Sequence, residues 1–301
     1  MGVIWGTPYL LIKIAVGEVS PPVLVLARTA VGAAVLLPLV LYRGQLRALR
    51  GHWRWLLAFA TAEMVVPWLL LTDAERTLSS STTGLLIAAV PVIGVVIARL
   101  AGDRQSVSAV RWLGLLLGFG GVALLAAPNV RGGGAWAIVE VLLVAVGYAG
   151  APLIADRTLR EVPGVTVSAV SLAFASVVYT PVAAWTWPTS VPSTRVLLAL
   201  AGLATVCTAL AFVLFFELIK EVGAARATVI TYLNPAVAVA LGAAVLGEPL
   251  TVPVGVAFVL ILVGSVLATR AARTPAPLPA PVSQVGADAA TSVKLRQGQT
   301  S

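Results

Sequence analysis

Residues 71–91 read LTDAERTLSSSTTGLLIAAVP, and residues 215–235 read FFELIKEVGAARATVITYLNP. Laid on one another at a shift of 144 residues, they place Asp73 on Glu217, Arg76 on Lys220 and Pro91 on Pro235, with apolar residues meeting at several positions between. The match continues outward. With the shift one residue longer, Gly102-Asp103 falls on Gly247-Glu248, Gly121 meets Gly264 after a two-residue adjustment, and Glu18-Val19 falls on Glu161-Val162 at nearly the same shift. The chain therefore reads as one unit used twice, with a first repeat over 1–127 and a second over 134–269.

The solvent of that unit follows from composition. Of 301 residues, 59% are hydrophobic and 11% charged, against about 25% charged in an ordinary soluble domain. A soluble fold could not cover so much apolar surface. The charges are also clustered, and the runs between them have the length of about 20 residues that crosses roughly 30 Å of hydrocarbon. The fold class predicted is an all-α polytopic membrane protein of ten transmembrane helices. They fall near residues 1–16, 22–42, 53–72, 79–100, 109–127, 134–155, 165–187, 195–219, 225–246 and 251–269. Each repeat then holds five helices. An odd number forces the two repeats into opposite orientations, the inverted arrangement that places a solute site near the midplane.

Orientation follows from Lys and Arg, which stay on the cytoplasmic side of short loops. With the N-terminus inside, the segments 43–54, 99–111, 157–160, 220–226 and 270–296 hold nearly all the basic residues. The outer loops hold only Arg76, Arg131 and Arg195. Both termini are thus expected in the cytoplasm. Residues 270–301, rich in Pro, Ala, Ser, Gln and Thr, read as a disordered cytoplasmic tail. The first run opens at Met1 without a basic n-region and is short for a span, which points to a start further upstream.

Several function classes lose their residues. Cys207 is the single cysteine and His52 the single histidine, so a zinc, haem or redox centre has almost no ligands, and no metal or other cofactor is expected. The net charge of +8 flanks membrane spans and does not form one stripe, which argues against a nucleic-acid partner. No GxxxxGK loop is present to couple ATP. A membrane-embedded enzyme acting on a lipid or isoprenoid is the alternative reading. Such enzymes usually gather acidic residues around a metal at the membrane face, whereas Asp73 and Glu75 fall outside and Asp156 and Glu161 inside. A sensor or scaffold would carry a soluble domain. The partners expected are a small-molecule substrate and membrane lipids, with the protein a monomer or a homodimer.

Short motifs add a likeness. Trp5-Gly6-Thr7-Pro8 with Lys13, Arg28 within Leu26-Ala27-Arg28-Thr29, Thr231-Tyr232-Leu233-Asn234-Pro235 and Leu246-Gly247-Glu248-Pro249-Leu250-Thr251 resemble the EamA-type permeases of the drug/metabolite transporter superfamily. Phe215-Phe216-Glu217-Leu218-Ile219-Lys220 with Val222-Gly223-Ala224-Ala225-Arg226-Ala227 is similar to that family's turn between the eighth and ninth helices. The resemblance runs to about Thr269. It implies ten helices, two EamA repeats and movement of amino acids, related metabolites or drug-like compounds across a bacterial inner membrane by alternating access, as an exporter with protons as the coupling option. Glu63 and Pro67 stand where the family often carries a Tyr-rich apolar stretch, and Ser171 where the second repeat would echo Arg28.

The candidate site comes from polar residues inside spans. Glu63 lies near the middle of the third span, where a carboxylate normally faces a cavity or a partner. It reads as a proton or substrate-amine site, or as a group paired with Arg28 or held neutral for packing. Arg28 offers a fork that grips a carboxylate, with Glu140 a weaker candidate of similar kind, while Lys13 reads as a side chain reaching to the interface. Proline frees the carbonyl four residues earlier, and Pro67, Pro91 and Pro235 read as hinges or cavity lining. Tyr148, Thr231, Tyr232 and Asn234 are polar contacts beside such breaks, and Trp5 and Trp68 are placed to stack on a solute. Gly114, Gly118 and Gly121 form a small-residue face for helix packing or, as the lesser reading, a dimer seam.

Overall fold

The computed structural model describes residues 1–100, 108–222 and 233–269. These form one unit of helices. In chain order they are α1 (Gly2–Gly6), α2 (Pro8–Ala15), α3 (Pro21–Tyr42), α4 (Trp53–Ala60), α5 (Val66–Thr77), α6 (Ser80–Ile87), α7 (Val90–Leu100), α8 (Ala109–Arg131), α9 (Ala135–Thr158), α10 (Gly164–Trp185), α11 (Thr194–Ala204), α12 (Ala211–Val222), α13 (Asn234–Leu246) and α14 (Val252–Thr269). A π-helical turn, Thr61–Val65, joins α4 to α5, and a second, Thr205–Leu210, joins α11 to α12. Taken through these joints, eight helices are long and apolar enough to cross a membrane, and Gly2–Ala15 and Asn234–Leu246 are shorter apolar helices. The tail at 270–301 lies outside the described residues.

Local chemistry sets the breaks. Pro8 at the start of α2 splits the first apolar run, and Pro91 lies one residue into α7, after a turn at Ala88–Ala89. The Ala88 carbonyl exposed there accepts a hydrogen bond of 2.8 Å from Ser265 Oγ on α14, as an exposed carbonyl in an apolar surrounding requires. Pro235 lies one residue into α13 in the same way. Ser79, Ser108 and Ser193 cap α6, α8 and α11 through side-chain oxygens that accept backbone N–H groups.

The third predicted span ends later than its charges suggest. It runs as α4, the π turn and α5 to Thr77, so Asp73 and Glu75 belong to the helix and Glu75 is fully buried. Lys13 makes this affordable: its Nζ donates to the Glu75 and Leu78 carbonyls, each at 2.6 Å, at the end of α5. It is half-buried and engaged there, not reaching free to the interface.

Packing relies on small residues. α14 lies along α8, and α10 along α3. A Cβ on Gly264 would stand 2.5 Å from the Gly118 backbone nitrogen, and one on Gly121 would stand 2.7 Å from Ile261. The Gly114, Gly118 and Gly121 face is therefore used within the chain. Outward faces carry Leu116, Phe119, Val177, Leu198 and Val259, and Trp53, Trp55, Trp112, Trp136, Trp185 and Trp187 are exposed near helix ends, as interfacial anchors are.

The two ends of the bundle close differently. At one end, Glu18 holds Ser193, Ser20 holds Thr186 and Glu248 holds Ser80 and Ser81. At the other, Thr166 donates to Gln45, Arg111 to the Ala268 carbonyl, and Leu49 and Leu56 cluster with Leu159 and Val162.

Candidate functional site

The interior polar group that organises the bundle is Arg28, buried on α3 at 6% exposure. Its guanidinium carbon lies 3.6 Å from the centroid of the Trp68 ring on α5, a cation–π contact of the kind that strengthens where water is excluded. Its Nε donates to Thr208 Oγ1 at 3.4 Å, in the second π turn. That hydroxyl donates in turn to the Leu203 carbonyl at 2.9 Å, five residues back along its own helix. Among the described residues no carboxylate lies within ion-pair distance of Arg28, and Glu63 is not its partner; Arg76–Asp73 and Arg160–Asp156 do pair, both exposed.

Both π turns serve this place. In the first, Pro67 has no N–H to give to the widened turn before it. The wider turn presents its carbonyls sideways: Val65 accepts from Tyr179 Oη at 2.5 Å, and Gly147 of α9 seats against Ala62, where a Cβ would stand 2.5 Å from the carbonyl oxygen. In the second, no proline is present, and the Thr208 hydroxyl takes the backbone acceptor. π turns of this kind recur at functional sites.

Around Arg28 the predicted residues divide. Glu63, on the first π turn, is half-buried, and the Tyr148 hydroxyl of α9 lies within electrostatic reach of Glu63, Arg28 and the Trp68 indole. Pro67 is buried against Gly147. Trp5 meets Phe215 at 4.6 Å and Phe212 at 6.4 Å, and Phe212 packs on the apolar cluster to which Trp68 belongs. Asn234 has a buried Oδ1 with no hydrogen-bond partner among the described residues, and its carbonyl lies against Gly6. Pro91 and Pro235 stand apart from Arg28 at the starts of α7 and α13. Thr231 and Tyr232 lie outside the described residues. Glu140 is buried on α9 beside the Asp73 carboxyl.

Four residues were not foreseen as site residues: Thr208, Tyr179, Glu75 and Lys13. The Ser171 hydroxyl, which the sequence alignment sets opposite Arg28, is buried without a hydrogen-bond partner among the described residues. A cleft of about 540 Å³ opens at the Glu18 end and is lined by Lys13, Glu18, Ser79, Arg195 and Glu248 among others.

Two carboxylates guard that end, both in loops. Glu18 accepts from the Ser193 amide at 2.6 Å and the Ser193 hydroxyl at 2.7 Å, and these bonds hold it below the usual carboxylate range. Burial pushes Glu248 upward, but bonds from the Ser81 hydroxyl at 2.5 Å, the Ser81 amide at 2.9 Å and the Ser80 amide at 2.7 Å outweigh it and leave it lowered. Both sit on helix N-termini, where unpaired N–H groups and the helix dipole favour an anion.

The model of the EamA-like transporter family matches residues 1–127 and 135–270. The chain belongs to the EamA-like transporter family. It is 28% identical over 270 residues to the uncharacterized inner membrane transporter YedA of Escherichia coli K12, covering 89% of this chain and 87% of that one. It is 27% identical over 267 residues to the uncharacterized transporter YvbV of Bacillus subtilis 168, covering 86% of each. A solved crystal structure shares the fold at a TM-score of 0.63 and 21% identity over 89% of this chain and 93% of its own. This EamA protein is an integral multi-pass membrane protein, and its family and relatives point to transport rather than catalysis.

Proposed function

We propose that this EamA protein is a secondary transporter with ten transmembrane helices in two inverted five-helix repeats, and that it exports small organic solutes carrying a carboxylate, amino acids foremost, by alternating access. The observation that carries this is Arg28. It is a buried cation with no carboxylate in ion-pair distance among the described residues, approached by Trp68 from the first half and Thr208 from the second. A guanidinium in that state favours an anionic guest. Glu63, beyond Tyr148, accepts the ammonium of a zwitterion, and the rings of Trp5, Phe212 and Phe215 take its apolar part.

The inverted repeat is supported by the helix contacts. Exchanging each helix for its equivalent in the other half reproduces several pairings: α3 with α10 and α8 with α14 map onto themselves, α2 with α11 maps onto α9 with α4, and α7 with α9 maps onto α13 with α1 and α2. The π turns start at Thr61 and Thr205, and α7 and α13 at Val90 and Asn234, all at the shift of 144 seen in the sequence. Broken helices in corresponding places are the mark of midplane sites in such transporters. The Lys and Arg distribution places both termini in the cytoplasm and the Glu18 end outside the inner membrane of a bacterium. With protons as the counter-ion, their inward gradient drives the solute outward. The glycine face is spent inside the chain, so the monomer is the transporting unit.

Purified protein titrated against amino acids, sugars, nucleosides and cationic dyes, by thermal shift and by radioligand binding, tests this reading. Carboxylate-bearing solutes should bind and Arg28→Ala should lose them. Binding confined to sugars or cationic dyes, untouched by that variant, would reject it.

A further inference from the structure

Glu75 is fully buried near the end of α5, and neither carboxylate oxygen has a hydrogen-bond donor among the described residues. An ionised carboxylate in that state would be very costly, whereas a protonated one is tolerable. The groups that face it are few. Lys13 and Tyr9 reach it from α2, Arg28 from α3 and Glu248 from the bend between α13 and α14; α6 offers only Ser80, Ser81, Thr82 and Thr83 at its near end, and from α9 Tyr148 stands behind Tyr9. Lys13 is the hinge of this arrangement. Its Nζ is tied to the carbonyls of Glu75 and Leu78, not to the carboxyl, and it lines the cleft at the Glu18 end together with Thr77 and Glu248. Glu75 therefore has a cation within reach, a path to solvent beside it, and a second carboxylate, Glu248, latched on the α6 N-terminus.

We propose that Glu75 is the proton-carrying acid of the transport cycle: it keeps its proton while Glu248 is latched on α6, and releases it into the cleft beside Lys13 when that latch opens. This rests on the transporter reading and assigns its coupling site, leaving Glu63 to the solute. The step is a simple transfer. The Glu75 O–H bond breaks and its proton passes to water in the cleft. The Lys13 ammonium leaves the α5 carbonyls and pairs with the new carboxylate, while two like charges, Glu75 and Glu248, now repel and hold the latch open.

The test is infrared difference spectroscopy of the whole protein in liposomes, titrated with acid and base alone. The carbonyl stretch of a titrating carboxylic acid should be present in the wild type and in Glu63→Gln and absent from Glu75→Gln. Lys13→Met should move its midpoint upward by about one unit, as loss of a nearby cation does. A band unchanged in Glu75→Gln, or one lost in Glu63→Gln instead, overturns the proposal. If Glu75→Gln does not fold, Lys13→Met decides: a midpoint that stays in place overturns it as well. The solute screen reads separately, since solute binding without a Glu75 band rejects this assignment alone, and a Glu75 band without solute binding rejects the transporter reading alone.

Discussion

The Arg28 guanidinium lies flat enough on Trp68 to place its carbon 3.6 Å from the ring centroid, while its Nε turns toward Thr208. One face of the cation is thus occupied and its outer N–H groups remain for a guest. Replacing Arg28 with Lys keeps the charge but loses the planar fork and the stacking. Solute affinity should fall by roughly 30-fold or more in Arg28→Ala, the cost of truncating one side of a buried charge pair, and most of that fall should remain in Arg28→Lys. Equilibrium binding of the solute found in the screen measures it. In Glu63→Gln, amine-bearing solutes should weaken while pH dependence persists.

Tyr179 holds the first π turn by donating to the Val65 carbonyl. Removing the hydroxyl takes away the bond that ties the turn to α10. Tyr179→Phe should cost about 1 kcal/mol, the net worth of one buried hydrogen bond, read as a lower unfolding midpoint in detergent. An unchanged midpoint would show that the π turn stands without it.

Gly264 meets the Gly118 backbone so closely that any Cβ must push α14 off α8. Gly264→Leu should destabilise the monomer by about 1–3 kcal/mol or more, as overpacking does. A dimer seam on the same glycines would instead change the oligomeric state and leave monomer unfolding alone, so light scattering paired with thermal unfolding separates the two.

The loop latches set a pH window. Glu18 sits below the usual carboxylate range because the Ser193 amide and hydroxyl donate to it. Its contribution is complete above the value of a free glutamate, about 4.3, and is lost as pH falls through the lowered folded value. Hydrogen exchange at the Ser193 amide should be slow at neutral pH and accelerate only in clearly acidic solution. Glu18→Gln should remove that dependence, leaving fast exchange at every pH.

Much of this was legible in the chain. Apolar runs bounded by charge gave the helices, because lipid admits little else, and the prolines at 91 and 235 marked the starts of α7 and α13. Arg28 and Glu63 were found because an ionisable group in a span is conspicuous. Glu75 was not, since Asp73-Ala74-Glu75-Arg76 has the charge density of a loop, and only the Lys13 side chain, distant in sequence, closes the end of α5 over it. Thr208 escaped for a different reason. Its π turn has no proline to announce it, and a threonine back-bonded to a carbonyl looks like any other threonine in an apolar run.

Glu18-Val19 and Glu161-Val162 are equivalent in sequence, and Glu18 lies at the latched end while Glu161 is exposed beside Leu159 and Val162 at the other. The central claim is that the halves are upside down relative to one another, and the most direct measurement uses this pair. With Cys207 changed to Ser, single cysteines at Gly17 and at Glu161 are exposed to a membrane-impermeant maleimide in intact cells and then in opened ones. The account predicts labelling at residue 17 from outside and at residue 161 only after opening. Labelling of both positions in intact cells, or of neither, would place the equivalent bends on one side of the membrane and contradict it.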